Sequence, residues 1–341
     1  FMDTAYQYNN IVRHGRILGY KNEGVASTYG TVSLYVLVPA SSTALGPDSN
    51  YIPLVTKGTR FTSQTGLNFV LTENVDFSDS SNLTVVASVD SSTGAPSYYA
   101  VKTTGTVVSG YFSEETVSIG SYERFLNITL SANNIAEIIS VFDSQGNEYF
   151  EVDYLAQDMV LKEITNTNYK NDNVPSVIKP YLVSRKFVVE RDATRTYLQF
   201  GSGKEGESDV VADPQSVAID TFGKSYITDT TFDPTRLSKS ESLGVVPSNT
   251  TLTITYRLTN GANSNIATAG LNTVSEASMN FSDAASLVES TMQDVVNSLE
   301  VANEEPIIGD VTIPNSDELK RMIFDTFPTQ NRAVTQADYE S

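Results

Sequence analysis

The residues FGSGKEG, Phe200 to Gly206, carry the sharpest hint of chemistry in this sequence. Gly201, Gly203 and Gly206 spell G-x-G-x-x-G directly behind the strand-like RTYLQF. In a dinucleotide site that spacing lets the backbone approach a pyrophosphate, and the amides of a following helix hold it. No helix is written here, because ESDVVADPQ follows, with Pro214 and scattered acids. Nor does Lys204 make a phosphate loop, since Ser or Thr must follow that lysine and Glu205 occupies the position. The motif reads as a glycine-rich turn between strands.

Acid pairs are the next candidates. Glu114-Glu115, Glu148 with Glu151, and Glu304-Glu305 would suit a glycosidase if two carboxyls stood about 5 to 9 Å apart. Among 41 acids such neighbours arise without catalytic purpose, and the absence of tryptophan leaves only tyrosine as a large sugar-stacking surface. Asp76, Asp79 and Asn82 in DFSDSSN offer oxygen ligands for calcium, but the run lacks the glycine and terminal glutamate of an EF-hand loop and reads as a solvated turn. Asn82-Leu83-Thr84, Asn127-Ile128-Thr129 and Asn249-Thr250-Thr251 match glycosylation acceptors. With no cysteine, thiol catalysis, disulfides and thiolate metal sites are excluded. The single histidine, His14, lies beside Arg13 and Arg16 on a predicted helix surface, so a Ser-His-Asp set has no second choice of base. No catalytic, cofactor-binding or metal-ligating residue is assigned. No cofactor is expected, and the chain is not expected to be an enzyme.

Charge narrows the partners. Asp and Glu number 41 against 22 Lys and Arg, a net charge of −19 whose field repels DNA, RNA and anionic lipid. Neither nucleic acid nor membrane is expected as a partner, and no run approaches the ~20 apolar residues of a membrane span. Only 18% of residues are charged, while Tyr, Phe, Val, Thr, Ser and Asn abound, a balance that favours strands.

The elements follow from periodicity. A helix is predicted from Asp3 to Leu18, with Tyr8, Ile11, Val12 and Leu18 as its apolar stripe and Gly19 ending it. From Thr31 the period becomes two. TVSLYVLVP is a strand closed by Pro39, and the residues from Ile52 to Phe77 read as a meander around Lys57-Gly58 and Thr65-Gly66. LTVVASV, YAVKTTGTVVSGYF, ETVSIG, FLNITL, IISVFDS and YFEVDYL follow, with a hairpin at Gly146-Asn147. Ile164 to Tyr181, rich in Asn and twice interrupted by proline, reads as a long loop. Two more strands flank Asp192, and SVAIDTFG and TLTITYRLTNG add others. Late in the chain, Ser282 to Asn303 shows helical spacing at Leu287, Met292, Val295 and Leu299, and SDELKRMIFDTF is a short amphipathic helix with acids in its first turn. The expected fold class is α+β, mostly β: antiparallel strands in two or more sheet-based subdomains, with helices near both ends.

Several stretches, in one order along the chain, carry a family resemblance. They are ILGY at Ile17 to Tyr20, VTKGTRFTSQTGLNFVLTENV, FGSGKEG, TITYRLTNGANSNIA from Thr253 to Ala267, NEEPIIGD, and the helix DELKRMIFDTF leading into RAVTQADYE. In these the sequence resembles the baseplate J-like family of contractile-tailed phages, and within it the baseplate wedge proteins of T-even-type phages. PIIGDVT departs from the pattern with one glycine where relatives tend to have a pair, and the helical spacing from Ser282 falls where the resemblance implies strand or insertion. The final TQNRAVTQADYES presents Thr335 as an N-cap, Asp338 as its reciprocal acid and Tyr339 as a first apolar position, as if a further domain followed.

The division expected is 1–30 as helix and lead-in, 31–115 and 116–260 as two β subdomains, and 261–341 as a return segment with helices. The resemblance implies a structural protein of the virion's tail baseplate, assembled in the host cytoplasm. It implies dimers within a ring around the hub, contacts with other wedge and hub proteins, and rearrangement when the sheath contracts. Tyr256-Arg257 and Arg332 are candidate interface residues. The alternatives are a fibre-like receptor-binding or adhesin module, and a tail-associated polysaccharide-degrading enzyme.

Overall fold

The computed structural model describes residues 2–22, 27–43, 45–192, 194–204, 243–260, 264–309 and 314–329. The chain is mostly β, with predominantly antiparallel sheets in several units and helices near both ends, as expected. Helix α1 (Tyr8–Ile17) begins five residues later than the sequence suggests. Met2 is buried against the helix instead of extending it, and the Ala5 N–H donates to the Met2 carbonyl at 3.1 Å in a turn. Its end follows the sequence: Gly19 has φ +88°, its N–H bonds the Arg16 carbonyl, and the Tyr20 N–H bonds the Gly15 carbonyl at 2.9 Å. This paired closure satisfies two of the helix's orphan carbonyls.

The first β unit holds a seven-stranded sheet. Its path runs β17 (Leu271–Glu276), β3 (Arg60–Ser63), β4 (Asn68–Leu71), β7 (Pro96–Ser109), β1 (Tyr29–Pro39), β19 (Glu300–Ala302), and β6 (Leu83–Val89) lies beside β7. Val32, Leu34, Val36 and Val38 alternate inward along β1 and join Phe61, Phe69, Leu71, Val101 and Val107 in the core. The short strands β2 (Leu54–Val55), β5 (Val75–Asp76) and β18 (Met279–Asn280) form a separate three-stranded sheet. The expected meander is therefore corrected: Gly66 turns the β3–β4 hairpin, but Gly58 carries the chain from one sheet to another.

The second unit is a seven-stranded sheet in the order β8 (Tyr111–Ile119), β16 (Thr250–Leu258), β10 (Ile135–Asp143), β11 (Glu148–Glu151), β14 (Lys186–Arg191), β15 (Thr196–Phe200), β9 (Asn127–Thr129). Among its described strands only β11 and β14 pair in parallel. Tyr149 meets Phe200 edge-on at 5.6 Å, and Phe187, Leu198, Leu252 and Ile254 complete that core.

Three expectations change. YAVKTTGTVVSGYF is not one strand, because Gly110, at φ +134°, breaks it and sends Tyr111-Phe112 into the second sheet. A Cβ there would strike the Leu258 carbonyl, so only glycine lets the chain cross between units this closely. The loop expected at Ile164–Tyr181 is instead a hairpin of β12 (Met159–Thr165) and β13 (Ser176–Leu182), joined through the single helical turn α2 (Tyr169–Asp172). Pro180 is tolerated because in a two-stranded ribbon each strand is an edge. The helix expected across Ser282–Asn303 is confined to α3 (Glu289–Asn297). Beyond it, Val301 joins β19 against Leu34, so tertiary pairing overrides the helical spacing.

The sheets also redraw the divisions. Residue 115 falls within β8, whereas the units part at Gly110, and strands from 271 to 302 return to the first unit. Helix α4 (Ser316–Thr329) packs on α1 through Leu319 and Ile323 against Ile11 and Val12. Asn315 accepts the Asp317 and Glu318 N–H groups at 3.0 Å, and Glu318 accepts the Asn315 N–H at 2.8 Å, a reciprocal cap. SVAIDTFG lies outside the described residues.

Candidate functional site

The glycine motif serves packing. A Cβ on Gly201 would overlap the Leu243 carbonyl and come 2.6 Å from the Gly244 oxygen, while Gly203 bridges Val245. Two backbone segments run against each other where a pyrophosphate would need open amides. Gly206 lies outside the described residues.

The acids are engaged with cations and turns more than with one another. Glu148 pairs with Lys162 at 2.7 Å, Glu151 with Lys21 at 3.7 Å, and Glu304 with Lys102 and the Ser33 hydroxyl. Glu115 accepts the Ser131 N–H at 3.1 Å and the Tyr256 hydroxyl at 3.3 Å. Asp76 and Asp79 each accept a backbone N–H two residues on, from Ser78 and Ser81, and the Asn82 amide donates to the Asp76 carbonyl at 3.0 Å. These are turn-closing bonds. His14 is half-buried on α1.

Tyr256 and Arg257, expected at an interface, are buried instead, at 3% and 5% exposure. Arg257 reaches back across the unit boundary: Nε donates to Glu137 at 2.9 Å, and Nη1 donates to the Ser27 hydroxyl at 2.9 Å and the Ser109 carbonyl at 2.6 Å. Beside it the Asn260 amide and the Gly110 N–H both donate to the Asn68 carbonyl. This node fastens the units where the chain crosses. Arg332, Thr335, Asp338 and Tyr339 lie outside the described residues.

A second fastening was hidden in the stretch read as loop. The β12–β13 hairpin projects from the second unit and its tip enters the first. Tyr169, the largest of the fully buried side chains described, donates its hydroxyl to the Ile52 carbonyl at 3.1 Å. Burial, with Asp76 nearby, pushes its phenol far above the usual tyrosine value, so it stays a neutral donor. Lys170 reaches the Ser49 carbonyl, Lys57 pairs with Glu163, and the Asn74 amide donates to Thr165 at 3.4 Å. The only signal in the sequence was Tyr169 itself, an aromatic amid Asn and Asp.

Among the described residues, two apolar surfaces stand out as exposed. Strand β6 is exposed along its whole length and on both faces, with Leu83 at 61% and Val89 at 57%. On the hairpin arm, Leu161, Ile178 and Leu182 share one face and are exposed as well. A shallow cleft of about 350 Å³ between α1 and the second sheet gathers Arg13, Arg16 and Arg191 around Glu190, Asp192 and Tyr197, and Arg16 pairs with Glu190 at 2.8 Å. No known family model matches the chain, and no curated protein matches it. Its function therefore has to be read from these surfaces. Among the described residues no helix is long and apolar enough to cross a membrane.

Proposed function

We propose that this chain is a structural component of the tail baseplate wedge of a contractile-tailed phage. It works in the virion within a ring around the hub, gripped by copies of itself and by other wedge and hub proteins, and it shifts with them when the sheath contracts. The observation that carries this reading is β6: seven consecutive exposed residues without a charge, five of them apolar, on a body of net charge −19. A like-charged body associates through neutral patches, and an uncovered apolar strand marks a surface made to be covered. The double fastening at Arg257 and Tyr169 supports it, because a part that transmits load needs its units held at a fixed angle. The family resemblance along the sequence supplies the setting.

Electron cryomicroscopy of virions with extended and contracted sheaths tests the proposal. Density for both β units is expected in the baseplate in repeated copies, displaced between the two states. A tail that lacks the chain, or that carries it only on fibres, overturns it.

A further inference from the structure

Strand β6 reads nearly the same in both directions: Leu83, Thr84, Val85, Val86, Ala87, Ser88, Val89. Laid antiparallel on itself about Val86, it sets Leu83 opposite Val89, Thr84 opposite Ser88, and Val85 opposite Ala87. Apolar groups meet apolar groups and hydroxyls meet hydroxyls. A twofold contact imposes this demand, because each residue must tolerate its mirror position in an identical chain.

Charge fits the same register. Continued into the flanking turns, it sets Asp90 opposite Asn82 and Asp79 opposite Thr93, so neither acid meets its own copy. Asp90 and Asp79 moreover accept the Ser92 and Ser81 N–H groups within their own turns. For two bodies of −19 each, this is a neutral line of approach.

The backbone geometry agrees. One edge of β6 is paired to β7, from Leu83 with Lys102 to Val89 with Pro96, and no described strand lies on the other. Within the strand no lysine, proline or inward charge blocks that free edge, and a bulge in its second half is the one protective feature it carries. Its pairing to β7 shifts between Val86 and Ser88 and again between Ser88 and Val89, which twists the second half, but Val89 opposite Pro96 restores the register of Leu83–Val86. Because the partner's free edge is used in the same contact, the pairing closes at two copies and cannot propagate into a fibre.

We propose that β6 is a self-pairing edge, through which two copies of this chain join antiparallel about a twofold axis at Val86 into one continuous sheet. The inference rests on the assembly reading above and names its surface and partner. Residue 86 then faces itself, which gives a test with no ambiguity of partner.

Sedimentation of the wild-type chain is expected to show a dimer. Val86→Lys and Val86→Glu, each placing like charges face to face, are expected to weaken it by about tenfold or more. An equimolar mixture of the two is expected to restore it. Val86→Cys, in a chain without cysteine, is expected to form an interchain disulfide on mild oxidation, whereas Leu161→Cys on the arm is not. A single cooperative thermal transition and the wild-type far-UV circular dichroism spectrum show that the variants fold. A wild-type monomer, aggregates of indefinite size, a dimer indifferent to both charges, or a mixture that fails to recover overturns the self-pairing. So does a disulfide to a different tail protein formed by the Val86→Cys variant in virions. None of these outcomes removes the chain from the baseplate, so the assembly reading would fall only on the microscopy.

Discussion

The Tyr169 hydroxyl donates to the Ile52 carbonyl at 3.1 Å across 117 positions of sequence, and so pins the tip of an arm from one β unit inside the other. The contact buries a phenol ring and satisfies its one donor in the same step, so ring and hydroxyl can be separated experimentally.

Tyr169→Ala is expected to cost about 3 to 5 kcal/mol, as for other buried aromatic truncations. Tyr169→Phe should cost only about 1 kcal/mol, the net worth of one hydrogen bond. Lys57→Ala, which breaks a partly exposed ion pair at the same arm, should cost under about 1 kcal/mol. Hydrogen exchange along Met159–Leu182 would rank the three; equal effects would show that the ring is not what docks the arm.

Arg257→Ala is expected to destabilise by about 2 to 3 kcal/mol, since it strands the Ser109 carbonyl and removes a charge-assisted bond to the half-exposed Glu137. Arg257→Lys should recover part of that loss but not all, because an ammonium cannot reproduce the fork that reaches Ser27, Ser109 and Glu137 together. Denaturant unfolding followed separately in the two units would locate the effect at their junction.

Gly201→Ala and Gly15→Ala look alike in sequence and should differ in cost. At Gly201 the new Cβ meets the Leu243 and Gly244 backbone, which cannot yield, so loss of about 2 kcal/mol or more is expected. At Gly15 the obstacle is the end of the buried Ile323 side chain, 2.6 Å away, which has to shift within the α1–α4 cluster, and the preference of about 1 kcal/mol for alanine in a helix offsets part of that cost. Melting temperatures should fall further for the first than for the second.

Acid should loosen the second unit through Asp143 and Asp192. Burial alone would raise Asp143, but the Asn147 side chain and the Asn147 and Gln145 N–H groups hold its carboxyl below the ordinary 3.8. Asp192 is likewise held down against burial, by the Thr194 and Arg195 N–H groups and the Tyr197 hydroxyl. A depressed folded value means that their contribution is complete above the ordinary value and is lost as pH falls through the depressed one. Asp143→Asn should flatten the fall of melting temperature below that value; a wild-type curve no steeper than the variant's would exclude the mechanism.

By itself the sequence determined the class of fold and most of its strands. Alternation along Val32 to Val38 demands a half-buried strand wherever it is placed, and Gly19, Gly66 and Gly146 end or turn elements through positive φ angles that belong to the residue. It also wrote the apolar stripes of α1 and α4, which are local and periodic, though not that the two helices pack together. What only the tertiary structure decided is long-range. Tyr169 and Pro180 looked like loop because a two-stranded arm draws its stability from the unit it enters, which no local window contains. Ser282–Asn303 looked helical until β1 captured Val301 and Ala302. Arg257 looked like a surface residue because its partners, Ser27, Ser109 and Glu137, lie between 120 and 230 positions away. Short-range periodicity is written in the chain, whereas burial and pairing depend on which distant segments arrive beside it.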